Sequence, residues 1–169
     1  MGSRRGYAGI EVVLVMLLLF VVSFLIFATV SAGSKAYLNL SESQKRDADL
    51  RVGLSFIDVK LKKNDVAGSV QIVDNPFGSG KAIRILSRSE NQSFSTWIYC
   101  RDGGLFELFL RADAVPSADT ASRIAQIDSM DITREGTGLL QVVLMLDPVA
   151  SGSEPARIAG TFFLKTGVS

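Results

Sequence analysis

The sequence predicts an α+β protein, with one long N-terminal helix laid against an antiparallel sheet of about six strands. Three observations predict it. Val12 to Val30 is apolar except for Ser23 and Thr29. From Lys35 to Lys63 the apolar residues recur at helical spacing, without proline. After Asp65 the texture changes to short β-prone runs separated by Gly, Asn, Asp and Pro. Helix first and strands afterwards, with no internal repeat, is an α+β order.

Composition narrows the function. The chain has 169 residues and a net charge of +1, with acidic and basic residues interspersed. It has no basic tract to grip nucleic acid. It contains no histidine, so Ser/His/Asp triads, Cys/His dyads and histidine metal sites are ruled out. Cys100 is the single cysteine, which rules out a disulfide within the chain. Carboxylate-only catalysis needs no histidine, but no convincing catalytic cluster accompanies the acids. The expectation is a non-enzyme without cofactor, metal or small-molecule substrate.

The first element is the apolar run. Nineteen residues at about 1.5 Å per helical residue span close to the ~30 Å hydrocarbon core of a bilayer. Arg4 and Arg5 precede it and Lys35 follows. This bias favours a cytoplasmic N-terminus and an exported C-terminal region. Glu11 stands at the head of the run, where a carboxylate resists entry into lipid. A secretory signal cut after Ala32, before Gly33, gives Glu11 no purpose, and the run exceeds a typical signal core. A twin-arginine signal, suggested by Ser3-Arg4-Arg5, fits poorly with so apolar a core. A plain single-pass anchor accommodates Glu11 only by snorkelling.

The stretch Arg4-Arg5-Gly6-Tyr7-Ala8-Gly9-Ile10-Glu11 ahead of this run resembles the type IV prepilin signature. That signature is a short basic leader ending in Gly, an apolar or aromatic first mature residue, and Glu at mature position five. The resemblance implies a leader over 1–6, a cut between Gly6 and Tyr7 by a prepilin peptidase, and a transmembrane and filament-core helix over 7–33. It further implies a role for Glu11. Cleavage frees an amine on Tyr7, whose ordinary pKa near 8 leaves it largely cationic at neutral pH. The Glu11 of a neighbouring subunit then meets that amine in an apolar bundle. A misaligned subunit leaves both charges unpaired, at several kcal/mol, so Glu11 acts as a register device between chains.

The second half of the helix, over 34–64, is amphipathic. Leu50, Leu54, Ile57 and Leu61 form a core-facing stripe, with Leu40 on roughly the same side. Ser31 to Ser34 is a small-residue patch where the helix loosens or bends. Gln44 to Asp49 reads as a solvated face. Lys62-Lys63-Asn64 ends the helix, with cations at its negative pole and Asn as cap.

The antiparallel β domain occupies 65–169. Strands are expected at Gly68–Val73, Lys81–Leu86, Ser93–Arg101, Leu105–Leu110, Ser129–Arg134, Leu139–Leu146 and Arg157–Lys165. Asp102-Gly103-Gly104 marks a hairpin. Apolar residues on both faces of that hairpin predict central strands. Ala112 to Ser122 reads as loop. Gly78-Ser79-Gly80-Lys81 matches only part of a phosphate loop and reads as a hairpin turn. Asp128 with Asp131, and Asp102 with Glu107, lack the spacing of a calcium loop and read as solvated faces. Trp97, Tyr99 and Phe109 are expected in the sheet core. Asn39-Leu40-Ser41 and Asn91-Gln92-Ser93 match a glycosylation sequon, relevant only in a eukaryotic secretory route.

The stretches "DLRVGLSFIDVKLKKNDVAGSVQI" and "FSTWIYCRDGGLFELF" resemble minor pseudopilins and an uncharacterised family of small pilin-like proteins from Gram-positive bacteria, domain of unknown function 4860. Arg51, Asp65 and the hairpin around Asp102, Leu105 and Glu107 carry that likeness. It implies a membrane-inserted precursor in the bacterial cell membrane, with other pilin-like subunits and assembly machinery as partners. A small "Tad-like" pilin is a variant that the long hairpin-bearing domain disfavours. The alternative from another class is an uncleaved single-pass anchor presenting an extracytoplasmic β-rich binding module.

Overall fold

The computed structural model describes residues 4–66, 68–89, 92–136, 138–148 and 154–164. Of the expected features, Met1 to Ser3 of the leader, Asn91 of the second sequon and Lys165 of the last strand lie outside these. Among these residues one α-helix and eight strands follow in chain order: α1 (Arg4–Lys63), β1 (Val70–Asp74), β2 (Lys81–Ser89), β3 (Gln92–Arg101), β4 (Gly104–Arg111), β5 (Ser122–Ala125), β6 (Ser129–Glu135), β7 (Leu139–Leu146) and β8 (Ala156–Phe163), with a short 3-10 turn (Ala118–Thr120) between β4 and β5. The chain divides into two compact units, Met1–Gln44 and Lys45–Ser169. The expected α+β class is what the chain adopts. The expected single sheet of about six strands is instead two sheets. One is five-stranded in the order β1-β2-β3-β4-β5, and the other is β6-β7-β8. Every pairing is antiparallel.

In the second unit, the helix supplies Leu50, Ile57 and Leu61 to a core that both sheets complete. From the five-stranded sheet come Val70, Ile83, Ile85, Ile98 and Leu105; from the other come Met130, Leu140, Val142, Leu144 and Phe162. Strict alternation puts these residues on one face of each strand. β7 shows it most clearly, with Leu140, Val142, Leu144 and Leu146 buried and the residues between half-buried.

Gly53 lies in the middle of the helical stripe, and a Cβ there would come within 2.3 Å of Ile127 Cδ1. A helical glycine costs about 1 kcal/mol relative to alanine. Here it admits the helix against β4 and β7, since Leu105 and Leu144 also crowd the position. The stripe is therefore Leu50-Gly53-Ile57-Leu61 at its deepest. Leu54 is only half-buried, and Leu40, in the first unit, is exposed. Two further ties hold this stretch of helix. Arg46 Nη2 donates to the carbonyls of Leu146 and Asp147, at 3.3 and 2.6 Å. Lys60 pairs with Glu107 of β4 while lying over the Phe56 ring.

The opposite face of the five-stranded sheet has its own small core. Ala82, Tyr99 and Leu108 are buried there, with Val73, Phe77, Trp97 and Phe106 around them. The hairpin between β3 and β4 is central, as expected, and its turn has two residues. Arg101 pairs with Gly104, leaving Asp102 (φ 48°) and Gly103 (φ 69°) as the loop. Two positive φ angles in succession define the mirror-image turn that matches strand twist, and Asp-Gly is its favoured pair.

Candidate functional site

Every residue from Ile10 to Val30 is exposed in the folded chain. Soluble helices show an apolar stripe on one side only. This one is apolar all round, and its apolar side chains stay exposed on every side. The span Ile10–Ser31 is the one stretch among the described residues long and apolar enough to cross a membrane. Thr29 Oγ1 donates to the carbonyls of Leu25 and Ile26, at 2.6 and 3.0 Å, so its hydroxyl is satisfied within the helix. The helix also continues unbroken through Ser31 to Ser34.

Glu11 is the single charged residue in that span. It sits one residue inside the span, and its side chain is exposed. Among the described residues it has no ion pair or hydrogen bond. Gly6 and Tyr7 lie on the same helix, within the first turn of α1. Backbone hydrogen bonding thus places Gly6, Tyr7 and Glu11 on one continuous rod. At 1.5 Å per residue, Tyr7 and Glu11 are about 6 Å apart along its axis, roughly one turn.

The remaining candidates resolve into structural roles. Lys81 opens β2 and donates to Asp74 at 2.7 Å, closing a hairpin rather than a phosphate loop. That bond holds the Asp74 carboxyl below its ordinary pKa. Asp128 accepts from the backbone N–H of Asp147 at 2.7 Å, Asp102 pairs with Arg101, and Glu107 pairs with Lys60. No group of three or more acidic or thiol side chains that could hold a metal occurs among the described residues. Tyr99 is in the core as expected, while Trp97 is only half-buried and packs against the edge of that cluster. Phe109 departs from expectation: it is 61% exposed and stacks on Phe94, with ring centroids 5.3 Å apart. It points to the face opposite Trp97 and Tyr99, because strand alternation separates them. Cys100 is a free thiol, pushed up to about 12 by burial and by the nearby Asp128 carboxylate, and so is inert at neutral pH.

Sequence reasoning missed two positions that shape this domain. Asn75 is buried, donates Nδ2 to the Cys100 carbonyl at 2.8 Å, and accepts from Phe77 N–H at 3.0 Å. Its place after a strand and before proline signals a turn, but not its anchorage on β3. Arg84 lies on β2 with its guanidinium 5.1 Å from the Trp97 ring centre. A lone arginine in an apolar run was its only signal.

A family model described as "Domain of unknown function (DUF4860)" matches residues 48–145, more than half of the chain. The chain belongs to this family. The DUF4860 region begins in α1 just ahead of Leu50 and ends one residue short of the end of β7. It takes in Arg51, which is exposed on the helix, Asp65, half-buried beyond the helix end, and the Asp102–Gly103 hairpin. Gly6, Tyr7 and Glu11 lie outside it. No curated protein and no solved structure matches the chain.

Proposed function

We propose that this chain is a structural subunit, a minor pilin or pseudopilin, of a type IV pilus-like, competence or type II secretion-like filament. The precursor lies in the bacterial cell membrane as a single-pass protein, N-terminus in the cytoplasm and DUF4860 region outside. A prepilin peptidase cuts it after Gly6, and the chain then joins other pilin-like subunits through its helix with the help of assembly machinery.

The observation that supports this reading most is Glu11. It is a carboxylate without a partner among the described residues, one residue inside a span that is apolar around its whole circumference, five positions past Gly6. A lipid anchor gains nothing from it, since an acidic residue only raises the cost of insertion. In a bundle of such helices the carboxylate meets the Tyr7 amine of a neighbour. The pair contributes little net stability, but it penalises every other register by several kcal/mol. The chain's role in this reading is structural, with no catalysis.

Glu11→Leu separates the two classes. A filament subunit carrying it inserts into the membrane at the wild-type level but loses its cross-links to neighbouring subunits. An uncleaved anchor presenting a β-rich binding module inserts at least as well with Leu and keeps whatever self-association it had. Unchanged cross-linking in Glu11→Leu overturns the proposal.

A further inference from the structure

Just beyond the end of α1 an open groove of about 760 Å³ runs between the loop after the helix and the far end of β2. Among the described residues its lining carries three cations, Lys63, Arg84 and Arg88, together with the hydroxyl-bearing Ser87 and Ser93, and no carboxylate. The acids nearest in sequence are Asp65 and Asp113, and Asp113 is held by a two-bond contact with Arg111 at 3.0 and 3.1 Å. The negative pole of the helix is offset here. Asn64 donates its side-chain amide to the Lys60 carbonyl and its backbone N–H to that of Leu61, at 2.8 and 3.2 Å. Lys60, Lys62 and Lys63 occupy the last turn.

Arg84 is the unusual member of this groove. Its guanidinium lies over the indole of Trp97, its cross-strand partner in β3, 5.1 Å from the ring centre. One amino group reaches the Ala112 carbonyl at a long 3.4 Å. Its Nε–H is buried and has no acceptor, the one such side-chain atom among the described residues. A buried donor left unmade is costly, more so on a charged group. A guanidinium seated over an indole and short of one acceptor, with two exposed cations beside it, suits a tetrahedral oxyanion. We infer that this groove binds a phosphate group, with Arg84 as its fixed anchor and Arg88 and Lys63 as closing charges. The site is independent of the helix assembly proposed above, because it lies wholly in the second unit.

The test uses the full chain in nonionic detergent, titrated with inorganic phosphate and separately with dimethyl phosphate, and followed by amide and side-chain NMR shifts. Saturable shifts at Arg84, Arg88 and Ser93 are expected. Arg88→Gln, an exposed change that leaves the fold intact, weakens binding several-fold. Arg84→Gln weakens it about tenfold or more, as loss of a hydrogen bond to a charged group requires. Lys81→Gln, outside the groove, leaves it unchanged. Tighter binding of inorganic phosphate identifies a free ion or terminal monoester as the natural form; equal binding of dimethyl phosphate identifies an internal diester, as in a lipid headgroup or polymer. Absence of saturable shifts with either probe, or the same affinity in Arg88→Gln and the parent, overturns the inference.

Discussion

Replacing Gly53 by alanine tests how tightly the helix is seated on both sheets. Two effects oppose each other. Alanine is favoured over glycine in a helix interior by about 1 kcal/mol. Against that, the new Cβ would lie 2.3 Å from Ile127 Cδ1, 3.2 Å from Leu144 Cδ1 and 3.3 Å from Leu105 Cδ2. Carbon atoms in contact prefer about 3.5–4.0 Å, so Ile127 must retreat by roughly 1 Å. Ile127, Leu144 and Leu105 are all fully buried, and a packed core has little room to yield. Overpacking of this kind costs about 1–3 kcal/mol. The sum predicts that Gly53→Ala destabilises the domain by about 1 kcal/mol, and that Gly53→Val, with its branched Cβ, costs about 3 kcal/mol or more. Urea unfolding in detergent measures this through Trp97, which is the single tryptophan and lies in the domain. A shift of the midpoint to higher urea in Gly53→Ala would refute the reasoning, since that is how glycine at an uncrowded helical site responds.

Other perturbations read different contacts. Asn75→Ala strands the Phe77 N–H and the Cys100 carbonyl, and should cost about 2 kcal/mol in the same urea assay. Arg46→Ala removes both bonds to the end of β7 and should cost about 1 kcal/mol, with Arg46→Lys recovering part of it. The Cys100 thiol is held protonated by burial in the folded state, so its contribution is fully present below the ordinary thiol pKa of 9.0 and is lost as pH rises toward about 12. Thermal unfolding of Cys100→Ala should therefore show less loss of stability than the parent across that alkaline window, and alkylation of the parent thiol at neutral pH should wait on unfolding.

Much of the fold was legible because its signals are local. The apolar run, the Leu50–Ile57–Leu61 stripe and the Asp102-Gly103 turn each declare themselves within a few residues. β5 escaped notice because Ser122-Arg123-Ile124-Ala125 has too little apolar character, and forms by pairing with β4 across a bulge. The division into two sheets was invisible for a related reason. Strand periodicity shows which residues face inward, but not which neighbour a strand chooses. Gly53 reads as a flaw in a helix until the opposing Ile127 is in view. Arg84 reads as one more charge until the fold sets it on Trp97 beside Lys63 and Arg88. At the helical end the position is reversed: Gly6, Tyr7 and Glu11 stand out by spacing alone, and the fold adds only that the Glu11 side chain is exposed.

The mass of the intact protein extracted from cell membranes tests the central claim most directly. The account predicts a chain that begins at Tyr7, shortened by the residues through Gly6. A chain that still begins at Met1, or one that begins at Gly33, contradicts it.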